Sequence, residues 1–179
     1  MPQAFVVCVP SAFPIPSQNR LSNVITFVIS AIVYTGHEGM VRSISVHQNG
    51  QFLASGGDDG TLRVWEVNSG RCLRKLQLSE SEKVIKVAWS PNPKLYVILC
   101  AVGDKVLLIN PQVGDRRIID ATNDLIDQFE KPENYRSAAE WKEGDAGVKL
   151  EIKHNAEVRD ACWHSKGTGF TYQPTIISN

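Results

Sequence analysis

The chain has 179 residues, with 19 Lys or Arg balanced by 19 Asp or Glu and a formal net charge of zero. That balance gives no general attraction to nucleic acid or anionic lipid, and the apolar (42%) and charged (21%) fractions are those of an ordinary globular domain. Cys8, Cys72, Cys100 and Cys162 lie far apart without a CxxC pair, which argues against a disulfide framework or metal site and for small buried side chains in a reducing compartment.

Residues 1–31 do not resemble the rest of the chain. Pro10, Pro14 and Pro16 interrupt the first part, and Leu21 to Tyr34 is a charge-free run that contains Ser22, Asn23, Thr26 and Ser30. The run is shorter than the roughly 18 apolar residues a membrane helix needs. Only Arg20 precedes it as a basic flank, so it does not read as a signal peptide. Ala31 to Tyr34 is expected to be the outermost strand of a preceding sheet unit, with the residues before it outside any such unit.

Gly36 to Val67 reads as three short strands with tight turns. Val41–His47, Phe52–Ser55 and Leu62–Val67 are the apolar runs, separated by Gln48-Asn49-Gly50 and by Gly56 to Gly60. After Asn68-Ser69-Gly70, Arg71–Gln77 supplies a fourth strand whose Arg and Lys residues suit an exposed edge. Val84, Val87 and Trp89 then repeat Val41, Ile44 and Val46 at a shift of 43 residues. Leu95–Val102 and Lys105–Asn110 continue this second unit, and Lys149–His154 closes it. Val158, Ala161 and Trp163 open a third unit a further 74 residues on, so the second unit carries an insertion of 31 residues beyond the repeat.

The insertion is acidic: Asp120 to Gly147 holds eight Asp or Glu against three Lys or Arg. A short helix is expected from Ala121 to Glu130, with Leu125, Ile126 and Phe129 at helical spacing, then a polar loop and a second turn at Ser137 to Trp141. Two readings stand side by side. One is a solvated acidic flap, and the other is a docking arm with Phe129 and Trp141 as candidate partner contacts. In the third unit, GFTYQPTIISN replaces the expected apolar second strand, and Pro174 is poorly suited to an inner strand. The third unit is therefore expected to be unfinished.

The Gly36-His37 opening and Trp65-Glu66 close resemble a WD repeat, and the 43-residue period fits the roughly 40–45 of that repeat. The resemblance implies an all-β fold, a partial WD-repeat β-propeller of about two and a half blades with an acidic, partly helical insertion. It also implies a structural hydrogen-bond network of His37, Ser55, Asp59 and Trp65. In the second unit Glu80, Leu99 and Ile109 stand near the histidine, serine and tryptophan positions, so that unit is expected to be held by apolar packing.

The combination TGHEGMVRSISV, ASGGDDGTLRVWEVNSGRCLR, VAWSPNP, VLLINP and GDRR, an acidic insertion, LEIKH and VRDACWH resembles the block-of-proliferation ribosome-biogenesis proteins. On that resemblance the chain divides into an unmatched segment 1–31, a propeller part 32–170 with the insertion at about 115–147, and an unmatched tail 171–179. The unmatched ends read as those of a truncated or mispredicted product, expected to be poorly soluble alone because sheet edges stay open. The resemblance implies a non-catalytic scaffold in large-subunit assembly and rRNA processing, located in the nucleus and nucleolus. The implied partners are a pescadillo-like protein and a second WD-repeat protein. A generic WD-repeat adaptor of another multiprotein complex is the alternative.

Catalysis is not expected. His37, His47, His154 and His164 with Asp59 and Asp160 invite a hydrolase or metal reading, yet no HExxH, GxSxG or phosphate-binding Gly-rich loop occurs, and no cofactor or membrane association is implied. Arg71, Arg74, Lys75, Arg116 and Arg117 are candidates for contact with RNA phosphates, weighed against a solvated edge.

Overall fold

The computed structural model describes residues 3–11, 28–127, 135–136, 148–153, 156–165 and 169–174. β1 (Gln3–Ser11) and β2 (Val28–His37) pair antiparallel. β3 (Val41–Val46), β4 (Phe52–Gly57), β5 (Thr61–Glu66) and β6 (Cys72–Gln77) form a four-stranded meander in chain order. Positive φ at Gly50 (72°) and Gly70 (69°) marks two of its turns. β7 (Val84–Trp89), β8 (Ile98–Val102) and β9 (Lys105–Ile109) begin the next meander. After α1 (Arg116–Asp127) and β10 (Tyr135–Arg136), β11 (Val148–Lys153) joins it to give the order β10-β11-β9-β8-β7. β12 (Val158–Trp163) and β13 (Phe170–Pro174) form the last pair.

The second meander and the last pair each lay their first strand on the sheet before them, β7 on β3 and β4, and β12 on β7 and β8. Successive antiparallel sheets packed face to face in this way make a partial β-propeller. Because β8 is covered on both sides, its apolar residues run without interruption instead of alternating. Ile98, Cys100 and Val102 join a core with Ala54, Leu62, Val64, Val84 and Val87 of the first junction. Leu99 and Ala101 join Val106, Leu108, Val158 and Ala161 of the second. Gly56 is fixed by this packing: a Cβ there would lie 2.4 Å from a Val84 methyl carbon.

Hydrogen bonds stitch the junctions. The Ser43 hydroxyl accepts the Val87 N–H at 3.1 Å, and Ser45 accepts that of Trp89 at 3.0 Å. Two different contacts serve the second junction. The Trp163 indole donates to the Ala88 carbonyl at 2.9 Å, and Lys86 pairs with Asp160 at 3.1 Å.

Several expectations are revised. β2 starts at Val28, three residues before the strand expected at Ala31, and β1 pairs with it at nine backbone positions in a sheet of their own. Their β-branched density explains it, and Pro10 is accommodated near the end of a strand in a two-stranded sheet. The third unit does have a second strand: Pro174 is its last residue, where a missing N–H costs little of the ladder. Leu95 to Val97 is buried but lies before the strand, with the Tyr96 N–H given to the Thr122 hydroxyl of α1 at 3.3 Å. The helix starts five residues earlier than expected, and the insertion adds β10 as a fifth strand. Of the three cysteines with described side chains, Cys100 is buried, whereas Cys72 and Cys162 are exposed near sheet edges and not in the core. Phe129, Trp141, the turn at 137–141 and His154 lie outside the described residues.

Candidate functional site

The first blade brings His37, Ser55, Asp59 and Trp65 together. β2 carries His37 to the rim of the sheet, β4 and β5 set Ser55 and Trp65 on one face, and the turn between these two strands holds Asp59. His37 Nδ1 lies 3.0 Å from the Asp59 carboxylate, and Nε2 lies 2.8 Å from Ser55 Oγ. Trp65 Nε1 donates to the same Ser55 oxygen at 2.8 Å. The donors and acceptors settle a single direction. The indole N–H donates to Ser55, the Ser55 O–H donates to Nε2, and Nδ1–H donates to the carboxylate.

Burial pushes the His37 pKa below the ordinary histidine value, and the Asp59 interaction opposes this only in part. A neutral imidazole results at neutral pH. Burial by itself would raise Asp59, but the Glu38 N–H, His37, and the Thr61 hydroxyl and N–H all bond the carboxylate and hold it at about 2.

Three further residues complete the cluster and carry no motif signal in the sequence. Thr61 donates its hydroxyl to Asp59 at 2.9 Å. Arg63, 8% exposed, reaches the Gly36 carbonyl at 2.6 Å and stands 6.0 Å from the Trp65 ring centroid. Tyr34 meets Trp65 edge-on at 5.6 Å and donates to the Val67 carbonyl at 3.0 Å. The signal that could have found Arg63 is its place in β5, opposite Ser55 in register.

The Ser–His–Asp distances are those of a hydrolase triad, but the chemistry is closed. Ser55 is fully buried and its oxygen already accepts the indole N–H, so no acyl carbon can approach it. An open cleft of about 420 Å³ lies elsewhere, lined by Ser81, Glu82, Lys83, Ile85, Gly103, Asp104 and Glu157, and none of the network residues borders it. His47 is buried between Trp89 and Tyr96, with Nδ1 accepting the Asn49 N–H, while His164 is exposed. Asp160 is occupied by Lys86. Among the described residues no group of three or more potential ligands could hold a metal ion, and no helix is long and apolar enough to cross a membrane.

In the second blade the place of Ser55 belongs to Cys100, not Leu99. Val87 faces Cys100 as Ile44 faces Ser55, and Ile109 takes the place of Trp65. Leu99 points to the other face, because a slip of one residue along a strand reverses the side-chain direction. Burial raises the Cys100 thiol pKa far above its usual value, so the position is filled by a neutral, weakly polar group.

The basic candidates fall on neighbouring elements. The Arg74 guanidinium reaches the Gln112 carbonyl at 3.3 Å, in the loop that leads to exposed Arg116 and Arg117. Arg71 stands 3.7 Å from Glu66, and Arg116 stands 3.9 Å from Asp120.

Residues 29–66, from β2 to β5, match the family described as "WD domain, G-beta repeat". The similarity extends well beyond that repeat. Over 150 residues the chain is 38% identical to the ribosome biogenesis protein BOP1 homolog of Drosophila sechellia, covering 78% of the chain and 19% of that protein. Ribosome biogenesis protein bop1 of Danio rerio is 43% identical over 143 residues, covering 76% of the chain and 18% of that protein. Over more than three quarters of its length the chain resembles a segment of the BOP1 ribosome biogenesis proteins. It spans about a fifth of the length of the curated relatives it matches. The matched WD repeat holds the complete hydrogen-bond network, and the wider similarity to BOP1 proteins takes in the second blade, where that network is replaced by apolar packing.

Proposed function

We propose that this chain is a non-catalytic, protein-binding scaffold segment that serves large ribosomal subunit assembly and rRNA processing in the nucleus and nucleolus. The observation that carries the reading is the 38–43% identity to BOP1 proteins over more than three quarters of the chain. A WD repeat alone would fit an adaptor of any multiprotein complex.

On this reading the His37, Ser55, Asp59 and Trp65 chain ties the first blade together. A pescadillo-like protein and a second WD-repeat protein are the proposed partners, with Phe129 and Trp141 of the insertion as proposed contacts. Affinity purification of the tagged chain from growing cells tests it. Recovery of a pescadillo-like protein with large-subunit factors is expected, and recovery of signalling or ubiquitination complexes without them would favour the generic adaptor. Contact of RNA with Arg71, Arg74, Lys75, Arg116 and Arg117 is tested by a salt titration. Phosphate contact requires affinity to fall as salt rises.

A further inference from the structure

Asn49 is the one asparagine in the chain that glycine follows. The backbone nitrogen after an asparagine can attack the side-chain amide carbon, and a residue without a Cβ leaves that approach open. Asn92 and Asn110 precede proline, whose nitrogen carries no proton. Asn49 and Gly50 are both exposed in the turn between β3 and β4, and a Cβ on Gly50 would meet no heavy atom within 4 Å.

Both reacting groups are nevertheless held. The nucleophile is the Gly50 nitrogen, whose N–H donates to the His47 carbonyl at 2.8 Å. The leaving group is the Asn49 side-chain NH2, which donates to the Tyr96 hydroxyl at 2.9 Å and to Gln51 Oε1 at 3.1 Å. The Gln51 bond stays within the turn, whereas the Tyr96 bond crosses from the first blade to the second. Tyr96 is itself fixed. It is 6% exposed, a Cβ on Gly114 would lie 2.6 Å from its ring, and its N–H is given to Thr122 of α1.

We propose that Asn49 is a site of spontaneous deamidation whose rate is set by its hydrogen bond to Tyr96. The Gly50 nitrogen attacks Asn49 Cγ, the new C–N bond closes a cyclic imide, and the side-chain amide leaves as ammonia with the Gly50 proton. Solvent water then opens the imide at either carbonyl and gives Asp or β-linked isoaspartate. The β-linked product adds a backbone carbon to the turn beside His47, whose ring stands edge-on to Trp89 and Tyr96. The modification therefore acts on the blade junction that restrains it, and a chain whose second blade has moved away is marked faster than one whose blades are docked. The proposal rests on the turn and the junction and is independent of the ribosome-assembly reading.

The test is incubation of the whole chain in mildly alkaline buffer, native and in urea, with Asp and isoaspartate at position 49 counted by peptide mass spectrometry. Asn68, exposed in the turn after β5, is the internal reference. In urea Asn49 should convert faster than Asn68, and in the native chain severalfold more slowly than in urea. Tyr96→Phe keeps the ring and removes the hydroxyl. It should raise the native rate at Asn49 by about two- to tenfold, the factor that one ordinary hydrogen bond confers, and leave Asn68 unchanged. Gln51→Ala removes only the exposed bond within the turn and should have a smaller effect. An unchanged rate in Tyr96→Phe would overturn the proposal, as would a proportional rise at Asn68, which would report general opening. So would a Gln51→Ala effect as large as that of Tyr96→Phe, which would assign the restraint to the turn alone.

Discussion

Ser43 and Val87 stand 44 residues apart in the sequence and share a hydrogen bond of 3.1 Å across the junction of two blades. Val87 belongs to a strand at the edge of its sheet, and Ser43 supplies the acceptor that the sheet does not. Ser45 does the same for Trp89. Replacing both serines by alanine should lower unfolding stability by about 2 kcal/mol, since a buried donor left unpaired costs about 1–3 kcal/mol. Urea unfolding measures it, and an unchanged midpoint would show that solvent satisfies these donors.

Ser55→Ala should cost about 3 kcal/mol, because it strands the Trp65 indole N–H and His37 Nε2 together. Cys100→Ser is the register-matched counterpart. With no indole or imidazole opposite, the new hydroxyl is buried unpaired, and a loss of about 1–3 kcal/mol is expected. Chemical denaturation of the two variants should therefore show a serine required in one blade and unfavourable in the next.

Gly56→Ala should destabilise by about 1–3 kcal/mol, the usual cost of overpacking. The added Cβ would lie 2.4 Å from one Val84 carbon and 2.9 Å from another, and the β-branched side chain has little freedom to move aside. Gly56→Ala combined with Val84→Ala should recover part of the loss in the same denaturation experiment. No recovery would place the strain elsewhere.

Stability should fall with acid in two stages. The folded His37 pKa lies below its unfolded value of 6.5, so its contribution is complete above that pH and is lost as pH falls through the depressed folded value. Asp59 sits at about 2 against 3.8 unfolded, so a contribution of roughly 2 kcal/mol is complete above 3.8 and lost on the way down to 2. Thermal unfolding from pH 8 to pH 3 should show a nearly level region, a decline below 6.5, and a steeper one below 4. Greater stability at pH 5 than at pH 7 would contradict the assignment of a neutral His37.

Much of the fold is legible because strands of period two and Gly-containing turns announce themselves, and because Val84, Val87 and Trp89 repeat an earlier trio at a constant shift. The network residues were legible through one motif. Arg63 and Thr61 were not, since their roles come from register and from closeness to the turn between β4 and β5 and not from residue type. The assignment of Leu99 to the serine position failed for a related reason: in a strand buried on both faces every residue is apolar, so hydrophobicity does not say which face is which. Pro174 misled because a proline that ends a strand looks, in sequence alone, like one that forbids it.

Whether this segment belongs to a large-subunit assembly factor is tested most directly by sedimentation of the tagged protein through a sucrose gradient under conditions that preserve pre-ribosomes. Co-migration with large-subunit precursors and their rRNA is the predicted result. Confinement to the soluble fractions at the top of the gradient, with those precursors intact, would contradict it.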